Sequence, residues 1–333
     1  MNRFSKIVIA IVLFFAFLYF IGPHPSTPIY NKVLPSIPSS SDSLEKYISS
    51  VESKHKLKYD NEARIVWNDD STKHKTDYAI VYLHGFSSSQ GEGAPTHRTI
   101  AKEFGCNLYL SRLAEHGIDT SEQLLNLTAD NYWESAKEAL AIGKQIGKKI
   151  ILMGTSSGGA LALQLAAAFP DDVAGTILYS PNIAINDKSA WLLNQPWGLQ
   201  IARLVIGDKY LKGTHNDLLN NRYWNTLYRI EAAVALQETV ATTMNETTFK
   251  AVHQPTLTLY YYKDEAQQDN VVKVSAIKSM LSTIATPDSL KRGVAMPNVD
   301  NHVLCSSIRS NDVAGVIRET EKFLVEVMHL KRL

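Results

Sequence analysis

Lys149–Phe169 reads KIILMGTSSGGALALQLAAAF. Its first part, Lys149–Gly154, is a short apolar run stopped by glycine, the pattern of a buried strand. Its last part, Gly159–Phe169, is rich in alanine and leucine and predicts a strong helix. Between them stands Gly154-Thr155-Ser156-Ser157-Gly158, a G-x-S-x-G string. From composition alone such a string is expected roughly 0.07 times in this chain; the strand before it and the helix after it give it meaning. The two glycines allow a tight turn in which side chains would collide. That turn lifts Ser156 above the end of a sheet and aims a helix N-terminus at whatever sits there. No Gly-Lys-Ser/Thr follows and no G-x-G-x-x-G is present, so a phosphate-binding loop fits poorly. Ser156 is the candidate nucleophile, and Ser157 is expected to contribute its backbone N–H.

Outward from this turn, strands and helices alternate. Ala63–Trp67, Tyr78–Gly85, Cys106–Leu113 and Val173–Pro181 read as strands. A helix is expected at 96–104. Ala129–Ile146 has helical spacing, with Tyr132, Ala136, Ala139, Leu140 and Ile142 as its inner face. From Asn182 to Val252 the pattern becomes mostly helical and holds Trp191, Trp197 and Trp224. Alternation then resumes: strand at Thr256–Lys263, helix at Val271–Leu281, short strand at Gly293–Pro297, closing helix at Asp312–Met328. This order implies an α/β fold, a mainly parallel sheet with helices on both faces and an inserted helical cap.

The chain has 333 residues, 34 Lys+Arg against 33 Asp+Glu, and two cysteines, Cys106 and Cys305. A net charge of +1 offers no basic field for nucleic acid. Two cysteines with no Cys-x-x-Cys and no Cys/His zinc spacing exclude a disulfide framework and a zinc finger. No metal or organic cofactor is expected.

Arg3 and Lys6 precede an apolar run from Ile7 to Gly22, the layout of a signal-anchor or a cleaved signal. The end, FLYFIG, has no small-residue cleavage pair, which favours an anchor with the bulk of the chain exported; cleavage would leave a periplasmic or secreted protein. Residues 23–43 are Pro- and Ser-rich and predict an extended, unpacked spacer. Ser43 is the expected cap of a short helix through Val51. The expected organisation is therefore anchor 1–22, linker 23–43, core 44–181, cap 182–252 and second core part 253–333.

Tyr82–Ser89 (YLHGFSSS), Ser111–Gly117 (SRLAEHG), Gly154–Gly159 (GTSSGG), Gln268–Val272 (QDNVV) and Asp300–Val303 (DNHV) follow one another in this order. Together they resemble the α/β-hydrolase family, in its carboxylesterase and monoacylglycerol-lipase-like branch. The likeness spans residues 60–333 apart from the insertion. It departs from the family pattern at Glu115, where Gly is frequent, at Ser157, where Met or Gln is frequent, and in the polar run KDEAQQ before Asp269.

The resemblance implies a chain order of serine, acid, histidine. Serine needs a base to take its proton, and the base needs a carboxylate to orient it. After Ser156 the histidines are His215, His253, His302 and His329. His302 follows the last short strand, where a loop reaches back over Ser156, and is the expected base. Asp269 is the expected acid, with Asp264 second. The oxyanion hole is expected from the backbone N–H groups of Phe86 and Ser157, with His84 shaping its loop. Trp191–Gly207 is apolar enough to form one face of a cap over Ser156, or to pack that cap onto the core. The implied activity is hydrolysis of a small ester or lipid through an acyl-enzyme. A serine peptidase or amidase is the second reading, with Glu231 and Glu238 available to hold an amine. A non-catalytic binding protein on the same fold is the third.

Overall fold

Strand β2 (Thr76–Leu83) sends alternate side chains into two separate cores. Ala79, Val81 and Leu83 join one, and Ile80 and Tyr82 join the other. Strand β4 (Gly147–Thr155) does the same with Ile150 and Leu152 against Ile151 and Met153. A strand buried on both faces must be apolar throughout, which is why these runs lack polar alternation. The structure is a computed structural model and describes residues 3–213 and 217–333.

Seven strands make the sheet, in the order β1 (Arg64–Val66), β3 (Asn107–Leu110), β2, β4, β5 (Val173–Tyr179), β8 (Thr256–Tyr260), β9 (Lys291–Ala295). Only β1 runs antiparallel to its neighbour. On one face α2 (Ser41–Glu52), α4 (Ala129–Ile146), α5 (Ser157–Ala168) and α10 (Val274–Thr283) bury Leu44, Trp133, Leu161 and Ile277. On the other, α3 (Thr96–Glu103) and α11 (Val313–Glu326) bury Ile100 and Phe323. Each such side chain contributes about 1.5–3 kcal/mol by leaving water. The architecture is the α/β-hydrolase fold. All five expected inner-face residues of α4 are buried.

Between β5 and β8 lie α6 (Gly198–Ile206), α7 (Leu218–Tyr223), α8 (Ile230–Thr243) and α9 (Glu246–Lys250). Strands β6 (Tyr210–Lys212) and β7 (Leu227–Arg229) pair there as a small antiparallel ribbon, which the helical reading of this stretch missed. Within 191–207, Trp191, Leu204 and Val205 are 57%, 82% and 80% exposed, while Leu192, Leu193 and Leu199 are half-buried. Trp224 is buried, with the Arg309 guanidinium 4.9 Å from its ring.

Helix α1 (Arg3–Phe20) buries no residue. Helix α2 starts earlier than expected, because Ser40 caps it by accepting from the Ser43 N–H. The stretch between α1 and α2 has no helix or strand, as its prolines dictate, but it is packed. Ile29 N–H donates to Asp130, the Trp133 indole donates to Asn31 O, and Lys137 Nζ donates to Val33 O at 3.0 Å. Tyr30 shares a hydrogen bond with Thr242 on α8. The expected free spacer is a strap laid across α4, because polar groups on that helix satisfy its extended backbone.

Candidate active site

The parallel strands end together at one edge, and the loops leaving that edge hold the chemistry-bearing residues. Ser156 lies between β4 and α5 with φ 53° and ψ −118°, a conformation that costs an L-residue about 1–3 kcal/mol. Packing holds it there. A Cβ on Gly158 would lie 2.0 Å from Leu83 O, and one on Gly154 would lie 2.4 Å from Gly158 O. The turn is thus clamped against the end of β2 by backbone alone. Gly158→Ala is expected to lower stability by about 3 kcal/mol, read as a fall in melting temperature, because no side chain can yield to the added methyl.

Asp269 follows β8 and is fully buried at its side chain. Its Oδ1 accepts the N–H groups of Val271 and Val272, at 2.9 and 3.1 Å. Helix α10 begins at Val274 and not at Val271 because Val271–Lys273 pair with 184–186: Asn186 N–H donates to Val271 O and Lys273 N–H to Ala184 O. Its Oδ2 accepts the Nδ1–H of His302 at 2.7 Å. Burial alone would raise the Asp269 carboxyl, but the His302 charge and the three hydrogen bonds outweigh it and hold it below the ordinary value. Burial disfavours the charged His302 ring. The Asp269 charge and hydrogen bond, with the Glu92 charge, overcome that and raise its pKa above the ordinary value. Asp264, the second candidate, is exposed and spends its Oδ1 on the N–H groups of Ala266 and Gln267. Of the other histidines, His215 lies outside the described residues.

Ser156 Oγ makes no hydrogen bond with His302 among the described residues; such contacts often tighten only when substrate is bound. Beside His302 opens a cleft of about 680 Å³, lined in part by Ser87, Trp224, Tyr228, Gln268 and Asn301.

The loop after β2 is held by two neutral histidines. His84 Nε2 accepts from Leu113 N–H, so its proton sits on Nδ1 and points at Gly85 O. His116 Nε2 accepts from Ser87 N–H, and its Nδ1 faces Ala114 O. Burial takes the His84 pKa down to about 4 and that of His116 well below its ordinary value. Both rings are committed to backbone and are unavailable as bases. Among the described residues, the N–H groups of Phe86 and Ser157 donate to no protein acceptor. Ser157 Oγ is occupied by Tyr132 Oη at 2.7 Å.

Glu92 escaped the sequence reading, since a carboxylate in a Gly-rich loop reads as solvated. It is buried, and its carboxylate accepts the Gly85 N–H, one residue before Phe86. Burial raises its pKa to about 7, against the opposing effects of the Gly85 N–H and the His302 charge. In Glu92→Gln the acceptor stays and the charge goes. His302 then loses part of what holds its proton, so the acid limb of kcat/KM against pH is expected to move to lower pH. A pH profile of the variant checks this.

A sequence comparison against curated proteins finds no match. Solved structures share the fold. A metagenome-derived lipolytic enzyme of the LipS and LipT pair superposes with a TM-score of 0.65 at 18% identity, covering 81% of this chain and 99% of its own. The monoacylglycerol lipase of Paleococcus ferrophilus gives 0.56 at 14%, covering 79% and 98%. Est1E from Butyrivibrio proteoclasticus, with ferulic acid bound, gives 0.55 at 17%, covering 80% and 95%. Residues 74–291, more than half of the chain, match the family described as serine aminopeptidase, S33, and the chain therefore belongs to that family of α/β-hydrolases.

Proposed function

We propose that this chain is a serine esterase that cleaves carboxylic esters of acyl or lipid-like character through an acyl-enzyme. Ser156 attacks the ester carbonyl while His302 takes its proton. Asp269 fixes the ring and stabilises the imidazolium. The N–H groups of Phe86 and Ser157 receive the developing oxyanion, where one donor is worth ~10²–10³ in rate. His302 protonates the leaving alcohol, and water then releases the acid. Residues 1–22 anchor the exported chain in a membrane, and 182–252 form the cap over the core assembled from 44–181 and 253–333.

The observation that carries this reading is the Asp269–His302 hydrogen bond at the sheet edge where Ser156 stands. A peptidase reading draws support from the family's description. It would need a free carboxylate in the cap to hold a substrate amine. Glu231 is bound by Arg203 and Arg229, and Glu238 accepts one hydrogen bond from Asn194, so of the two only Glu238 carries no cationic partner among the described residues.

The test is turnover by the full chain of nitrophenyl esters from acetate to palmitate, beside aminoacyl nitroanilides, with a fluorophosphonate probe. Esters are expected to exceed anilides by at least about 100-fold in kcat/KM. Anilide turnover at or above that of the esters would move the assignment to a peptidase. No turnover and no probe labelling would leave a binding protein.

A further inference from the structure

Helix α6 presents an apolar stripe to the outside. Its Arg203 is bridged to Glu231 on α8 and Leu199 and Ala202 are half-buried, while Ile201, Leu204 and Val205 are 43%, 82% and 80% exposed. With Trp197 these residues fall at i, i+4, i+7 and i+8, one continuous stripe along the helix. A surface helix ordinarily turns such a stripe to the core, so one that faces outward marks a partner.

The stripe begins on the end of α1. The Trp197 indole Nε1–H donates to Leu18 O at 2.9 Å, and Trp197 N–H donates to Pro23 O at 2.8 Å. The indole also lies flat against Gly22, where a Cβ would meet Nε1 at 2.2 Å. Tyr19 Oη reaches Gln195 at 3.4 Å. Helix α1 is 18 residues long, with mean hydropathy 2.0 and no buried residue. A span of that kind ends at the lipid–water interface, the depth at which Trp and Tyr settle.

The geometry points to one occupant for the stripe: α6 lies on the bilayer that α1 enters, with Ile201, Leu204 and Val205 set among the outer acyl chains. This rests on the reading of α1 as an uncleaved membrane anchor. Continuity chooses the bilayer over a protein partner, because the stripe starts at the residue that packs on the end of the span. The cap is then a membrane-facing element with fixed orientation.

The experiment uses the full chain reconstituted in phosphatidylcholine vesicles, with an environment-sensitive fluorophore on Leu204→Cys or, as a control, on Lys148→Cys at the opposite edge of the sheet. Cys106 and Cys305 are buried and stay unlabelled in the native protein. Flotation with the vesicles reads the anchor. Quenching by a nitroxide placed near the headgroup end of an acyl chain reads the docking. The label at 204 is expected to be quenched at least about twofold more than the label at 148, since interfacial helices sit ~5–10 Å deep. Adding Val205→Glu is expected to remove most of that difference. A floating protein whose two labels are quenched equally overturns the docking and leaves the anchor standing. A blue shift at 204 without quenching places a second copy of the chain on the stripe and also overturns it. A chain that does not float overturns anchor and docking together.

Discussion

Ser156→Ala is expected to lower kcat on a nitrophenyl ester by about 10⁴–10⁶ with little change in KM. The loss falls on kcat because the serine oxygen contributes little to binding and forms the bond that the reaction requires. Melting temperature is expected to stay close to that of the parent, because alanine at φ 53° is strained much as serine is. Ser156→Gly provides the companion measurement. Glycine adopts this backbone without penalty, so that variant is expected to be equally inactive and to melt higher. The pair separates the chemistry of the oxygen from the strain of the turn. Residual activity within tenfold of the parent in both variants would move the nucleophile to another residue.

Asp269→Asn is the second large effect, a fall of about 10⁴ in kcat. The reason is a proton on the wrong nitrogen. The N–H groups of Val271 and Val272 both point at Oδ1, so an amide at 269 keeps its oxygen there and turns its NH₂ toward His302. Nδ1 must then accept, and the ring proton moves to Nε2, the atom that has to take the serine proton. The pH profile carries a second signature. In the parent the Asp269 charge raises His302 above its ordinary pKa, and activity is lost as pH falls through that raised value. Without that charge the ring stays neutral to lower pH, so the acid limb of the small remaining activity moves down. A variant whose rate drops without any shift of that limb would argue against contact between 269 and the base.

Most of the sheet was legible because a strand buried on both faces is written as an uninterrupted apolar run, and β2 and β4 are two such runs. The turn at Ser156 was legible because it demands glycine at fixed positions, which composition alone seldom supplies. The contact between Asp269 and His302 was to be expected only through their place in a family order. Nothing in the six residues before Asp269, five of them polar, marks it as the one whose neighbours offer two N–H groups. Glu92 was hidden for a different reason. A buried carboxylate is made tolerable by donors that fold onto it, here the Gly85 N–H, and those arrive from the backbone, which has no sequence signature. The strap was misread because prolines announce extended chain while the residues that would dock it, Asp130, Trp133 and Lys137, lie a hundred positions away. The outward direction of the α6 stripe was not legible because hydrophobicity gives the face of a helix and not the side of the molecule it points to.

The strap also sets how far the enzyme can travel from its point of attachment. Left loose, the 20 residues between α1 and α2 would let the catalytic body wander about 22–27 Å, a leash on which it could meet substrate from any direction. With the strap fastened to α4 and Trp197 seated on Gly22, that leash has no slack. The body is mounted and not tethered. On the proposed anchor, such a mount would present one fixed aperture to substrate, and a lipid-like ester would reach it by lateral arrival in two dimensions instead of a search through volume.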